Sequence, residues 1–277
     1  MNKKKISVLV ILLICFVWAV GTNESRAQNG DVWQYMHGRL QDVPADGPEI
    51  RTYEITVKRQ ATDPVDGTKL FADAARGSYH VLNGDSIHWS NVSTMPIENL
   101  HRELSEGKPL PFLENLTYRT GSTPFAYEEF YQAIPLEQMD WSMMLLTDAY
   151  MLHEYKLSVL DSLEFGEPYY PESMKDYDVE MSGLEFTFSS DYVQYLWNGF
   201  TLYEGALCAV VQFESFFNPM SNSRMKGRSM YYGELFVSLE NHQIEYARMV
   251  EDAMLRLKDS KEQWMDLQRV VVLKTME

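Results

Sequence analysis

The chain has 277 residues, with 24 basic and 40 acidic side chains and a formal net charge of −16. A surface this acidic repels phosphate backbones and anionic lipid headgroups, which argues against a nucleic-acid partner. The chain also carries 17 Tyr and 13 Phe, residue types that favour strands and supply apolar binding surface.

The first elements form a leader. Lys3, Lys4 and Lys5 precede an uncharged apolar run from Ile6 to Val20, and the small residues Ser25 and Ala27 stand at the spacing a signal peptidase reads. This pattern predicts a secretory signal peptide over residues 1–27, cleaved after Ala27, and a periplasmic or secreted protein. The apolar run is shorter than the roughly 20 residues that a membrane span needs. Lys3, Lys4, Lys5, Arg26 and Glu24 leave with the leader, so 20 basic and 39 acidic residues remain. No second run of spanning length follows, and the mature chain is expected to have no transmembrane segment. Cys15 also falls in the leader. Cys208 is left alone among Ala206, Leu207, Val210 and Val211, where it reads as a small buried hydrophobe.

Residues 28–277 are expected to form a single α+β domain. Asp31 can cap a short amphipathic helix carrying Val32, Tyr35, Met36 and Leu40 on one face. After a break at "VPADGP", "EIRTYEITVKRQ" alternates strictly. Arg51, Tyr53, Ile55 and Val57 lie on one side, and Ile50, Thr52, Glu54, Thr56 and Lys58 on the other, as in a half-buried strand. "ARGSYHVLNGDSIHWSNVS" predicts a hairpin turning at Asn83-Gly84. A loop-rich insert near residues 105–125 follows. "YEEFYQAIPLEQMDWSMMLLTDAYMLHEY" reads as helix, with Met139, Met143, Leu146 and Tyr150 at helical spacing and a second set at Met144, Met151 and Leu152.

The last third is rich in strand patterns, punctuated at Asn198-Gly199 and Glu204-Gly205. In "YYGELFVSL", Tyr231, Gly233, Leu235, Val237 and Leu239 share a face, and Gly233 reads as a bend or bulge. "ENHQ" reverses the chain. "IEYARMVEDAMLRLKDSKEQWMDLQ" is ambiguous, since nearly all its residues are good helix formers. A strand to about Val250 and then a mixed segment are expected, before a closing strand in "DLQRVVVLKTME".

Motifs for phosphate loops, nucleophile elbows, zinc proteases and redox cysteines are absent. His80 and His88 face each other across the predicted hairpin, but two ligands fall short of the usual metal set. Acid pairs such as Asp178/Glu180 or Glu234/Glu240 carry no mechanism without a measured separation. No catalytic residue, metal or cofactor is therefore predicted.

The phrase "MKGRSMYYGELFVSLENHQIEYARMV" resembles late strands of the LolA/LolB-like periplasmic lipoprotein-carrier superfamily. Tyr232, Gly233, Leu235, Val237, Glu240, Asn241, Ile244 and Ala247 carry the likeness. The N-terminal helix followed by "RTYEITVKR" also resembles the start of that fold. The resemblance implies a curved antiparallel β-sheet, an open half-barrel, with helices packed on its concave face over a hydrophobic ligand. The expected function is non-enzymatic binding of a hydrophobic or lipid-like molecule, with an envelope protein as a possible partner. Met139, Met143, Met144, Tyr195, Trp197, Leu235 and Val237 are the candidate ligand-binding residues. The alternatives are a cell-envelope carbohydrate- or protein-binding module that exposes Trp89, Trp141 or Trp197, and a carboxylate-based hydrolase.

Overall fold

The computed structural model describes residues 36, 38–40, 50–82, 86–119, 133–155, 159–171, 177–181, 184–188, 193–221, 225–257 and 263–276. The expected leader, most of the expected first helix and the expected Asn83-Gly84 turn lie outside these residues. Arg39–Glu277 forms one compact unit. It is built on a 13-stranded sheet whose named strand pairs are all antiparallel, and the sheet is open rather than closed.

Strand β1 (Ile50–Thr62) shows why the alternation matters. Tyr53, Ile55, Val57 and Ala61 have no exposed surface, while Thr52, Glu54, Thr56 and Lys58 on the other face are only half-buried. Strands β2 (Lys69–Leu82) and β3 (Ser86–Pro96) continue the sheet on one side, joined in register up to Leu82 opposite Ser86. The insert re-enters the sheet at β3 through two short strands, β4 (Lys108–Pro109) and β5 (Thr117–Arg119), and buries Leu110 and Leu113. Helix α1 (Leu136–Ala149) follows Pro135 at its N-cap, a position that needs no donated backbone hydrogen. It continues into a π-helical segment, Tyr150–Tyr155.

After two short strands, β6 (Pro168–Tyr169) and β7 (Tyr177–Met181), come β8 (Leu184–Phe188), β9 (Val193–Tyr203), β10 (Ala206–Ser221) and β11 (Met225–Ser238). The two glycine pairs in this stretch behave differently. Glu204-Gly205 makes the β9–β10 turn, and both residues have positive φ, 48° and 88°, as a tight hairpin turn requires. Asn198-Gly199 does not end a strand. β9 runs through it, and the register shifts opposite, between Val210 and Val211.

β12 (Ile244–Leu257) is strand throughout, and no mixed segment begins at Val250. Its residues are helix formers, but β11 pairs with it on one side and β13 (Trp264–Met276) on the other. Two ladders of backbone hydrogen bonds outweigh propensities of a few tenths of a kcal/mol per residue. β13 also pairs with β1. The last strand of the chain thus lies between the first strand and β12, deep within the sheet.

One face of this sheet is the core. Its aromatic members include Tyr53, Tyr79, Trp89, Tyr195 and Trp197, all at 0% exposure. Tyr53 stacks on Tyr79 at 5.2 Å and Tyr79 meets Trp89 at 5.1 Å. The covering layer is aliphatic, with Leu145, Leu146, Ala149, Leu152, Val159, Leu160 and Leu163 all buried. Each fully buried large side chain contributes on the order of 2–3 kcal/mol over exposure.

Gly233 serves close approach rather than a bend. It pairs in register with Phe213 and Met249. A Cβ there would fall on the Arg248 carbonyl oxygen and 2.7 Å from Phe213 Cζ.

Candidate functional site between the helix and the sheet

The buried face carries a row of polar residues that alternation alone would make apolar. Tyr231 on β11 is opposite Glu251 on β12, Glu251 is opposite Arg269 on β13, Arg269 is opposite Arg59 on β1, and Arg59 is opposite Asp73 on β2. Residues directly opposite in an antiparallel ladder point to the same side. Five neighbouring strands therefore project one polar line under α1.

The two arginines hold the helix. Arg269 Nη1 donates to both carboxylate oxygens of Asp148 at 2.7 Å, and its Nε donates to Glu251 Oε2 at 2.6 Å. Arg59 Nε donates to Asp73 Oδ1 at 2.7 Å, and its Nη2 lies 2.7 Å from Asp140 Oδ2. Its guanidinium also stacks over Trp141, 4.3 Å from the ring centroid. Asp140, Trp141 and Asp148 all belong to α1. Their spacing separates the two acids by about 12 Å along the helix axis, whereas β1 and β13 are about 5 Å apart. The two arginine side chains must diverge to reach them.

The electrostatics of the two ends differ. Arg59 meets Asp140 at the rim, where Asp140 is 67% exposed. Arg269, Asp148 and Glu251 are buried together. Burial pushes the Asp148 carboxyl up to about 6, and Glu251 adds to the rise, against the opposing pull of Arg269. Burial acts to lower the Arg269 pKa, but Asp148 and Glu251 outweigh it and raise the net value. Burial, reinforced by Glu251, also pushes the Tyr231 phenol well above its ordinary value. Two acids thus share one cation in a site closed to solvent. Such a cluster orients elements strongly, because losing one member leaves the others uncompensated.

The seven candidate ligand-binding residues fall into two groups. Tyr195, Trp197, Leu235 and Val237 lie on β9 and β11 within the buried face, each at 0% exposure. Trp197 is in register with Val211, and Val211 with Leu235. Phe165 meets the Trp197 ring edge-on at 5.4 Å, and Trp197 Nε1 donates to the Gly199 carbonyl at 3.1 Å. Met139, Met143 and Met144 are half-buried on α1. Helical geometry places Met139 and Met143 on one shoulder of the sheet-facing stripe and Met144 on the other. The main sheet contacts of α1 are with β1 and β2, and those of the π-helical segment are with β12. The methionines are therefore not placed against Trp197.

Among the described residues, Ser142 Oγ on α1 and Trp89 Nε1 on β3 are buried polar atoms without a hydrogen-bond partner. Both residues are at 0% exposure. Leaving such groups unpaired costs about 1–3 kcal/mol each.

Burial bears on the other sequence candidates. Trp89 and Trp197 present no exposed face, and Trp141 is occupied by Arg59. Cys208 is buried, and burial pushes its thiol up to about 12, which removes it as a nucleophile at neutral pH. Ser238 is buried at 1% exposure, and its Oγ accepts from the Glu240 backbone N–H. His80 and His88 do face each other in register. Among the described residues no group of three or more His, Cys, Asp or Glu is placed to hold a metal ion.

The polar row escaped sequence reading. Its signal was parity: Arg59, Glu251 and Arg269 each interrupt a largely apolar alternate set.

No family model matches the chain, and no curated protein matches it.

Proposed function

We propose that the chain is a periplasmic or secreted, non-enzymatic binding protein for a hydrophobic or lipid-like molecule, held between the sheet and α1. In this reading the sheet curves as an open half-barrel and α1 covers its concave side. The observation that carries it is the layer between α1 and the sheet. It joins aromatic sheet residues to an aliphatic cover, and it contains a fully buried polar atom, Ser142 Oγ, that no described group satisfies. An amphiphile with an apolar body and a polar end matches that chemistry. Met139, Met143 and Met144 on the helix shoulders supply soft, adaptable surface for an irregular chain. The sheet-side residues are fully buried, so a ligand reaches them by displacing the cover.

The two alternatives have weaker support. Of the carboxylate pairs brought together, Asp148 and Glu251 are bridged by Arg269 and buried, out of reach of a glycosidic bond, and Asp73 and Asp140 at the rim are both tied to Arg59. A sugar-stacking surface would draw on separately exposed rings such as Tyr170 and Trp264, or on the half-buried cluster Tyr203–Phe236–Tyr246, with centroids 5.1–5.7 Å apart.

The test is titration of delipidated protein with a fluorescent fatty-acid probe. Saturable, micromolar-range uptake that unlabelled fatty acid displaces supports the reading. A response no larger than that of a non-binding control protein contradicts it.

A further inference from the structure

A second feature lies away from the helix layer. Near the C-terminal end of β2 and the N-terminal end of β3, four strands project one polar row: Thr52 on β1, His80 on β2, His88 on β3 and Thr117 on β5, each opposite the next. His80 and His88 are both half-buried. Their rings lie nearly parallel, with centroids 6.3 Å apart and planes 20° from each other. Each imidazole is held from its outer side. Thr52 Oγ1 is 2.7 Å from His80 Nδ1, and Thr117 Oγ1 is 2.9 Å from His88 Nδ1.

We propose that His80 and His88 form a two-imidazole site for an exchangeable divalent transition-metal ion such as Zn2+, with water completing its coordination. The hydroxyl on each Nδ1 is the decisive detail. When Nδ1–H donates to the threonine oxygen, the proton is fixed there and the Nε2 lone pair is left for a metal. Metal-binding histidines are oriented in this way by a partner on the other ring nitrogen. Two imidazoles bound at about 2.0–2.1 Å to one tetrahedral ion have centroids about 5 Å apart, so side-chain rotation must close the pair by about 1 Å and turn the nearly parallel rings until both Nε2 lone pairs converge. With two protein ligands the site is open, and the ion exchanges with solvent. The ion would join β2 to β3 and, through the two threonines, bring in β1 and β5.

The test is calorimetric titration of the metal-free protein with Zn2+, and separately with Ni2+, at pH 7.5. The site predicts a binding event that either His80→Ala or His88→Ala abolishes and that His101→Ala leaves intact. Thr117→Val weakens it roughly 10-fold, and Thr117→Ser restores it. Thermal melts of each metal-free variant check that the fold is retained. In NMR spectra the ring signals of His80 and His88 shift together. Absence of binding in the wild type, or equal binding in the wild type and both single variants, overturns the proposal.

Discussion

Arg269 and Asp148 join the last strand of the chain to the helix through two hydrogen bonds from one guanidinium nitrogen, both 2.7 Å long. Glu251 shares the same guanidinium. The arrangement predicts unequal costs for its members. Arg269→Met strands two buried carboxylates and should destabilise the fold by about 3–5 kcal/mol. Asp148→Asn keeps the shape and leaves Arg269 paired with Glu251, and at pH 7 it should cost less than half as much. Urea denaturation of both variants checks this ordering.

The same cluster predicts a pH effect. The Asp148 pKa is raised in the folded protein, to about 6, from about 3.9 in an unfolded chain. The folded state therefore takes up this proton more readily. The resulting stabilisation is full below about pH 4 and is lost as the pH rises through 6. It is on the order of 2–3 kcal/mol. The stability difference between wild type and Asp148→Asn should move against the wild type from pH 4 to pH 7. A constant difference would remove the buried carboxyl from the explanation.

Gly233→Ala tests the close approach of β11 to its neighbours. The added Cβ meets backbone at Arg248 as well as the Phe213 ring, and backbone in a paired strand cannot swing away. A loss of about 1–3 kcal/mol is expected from overpacking. An unchanged unfolding midpoint would show that β12 yields freely.

Cys208 should resist modification. In a Cys15→Ser background, a thiol reagent at pH 8 should leave native protein unlabelled over a period that fully labels urea-unfolded protein. Burial and a thiol pushed up to about 12 both require this.

How much of this was legible in the sequence varies from element to element. The parity of β1 gave its faces directly, because Tyr53, Ile55 and Val57 contrast with Thr52, Glu54 and Thr56. The Glu204-Gly205 turn was equally plain. β12 was not, because its second half is made of helix formers, and strand pairing on both sides overrode that local preference. β4 and β5 have two and three residues, too short to show a period, so the insert read as loop. The polar row was visible only as three misplaced charges, Arg59, Glu251 and Arg269. Their meaning depended on register, which brings together positions up to 210 residues apart. The seven candidate ligand-binding residues show the same limit. Periodicity placed each on an apolar stripe but did not reveal that the methionines and Trp197 cover different parts of the sheet.

The central claim is that an apolar molecule is held between α1 and the sheet. The most direct measurement is fluorescent fatty-acid binding by delipidated wild type, compared with Ser142→Trp, which fills the layer from the helix side. Circular dichroism confirms that both are folded. The account predicts saturable, displaceable, micromolar-range binding to the wild type that the bulky variant loses. No saturable binding to the wild type, or equal binding to both proteins, would contradict it.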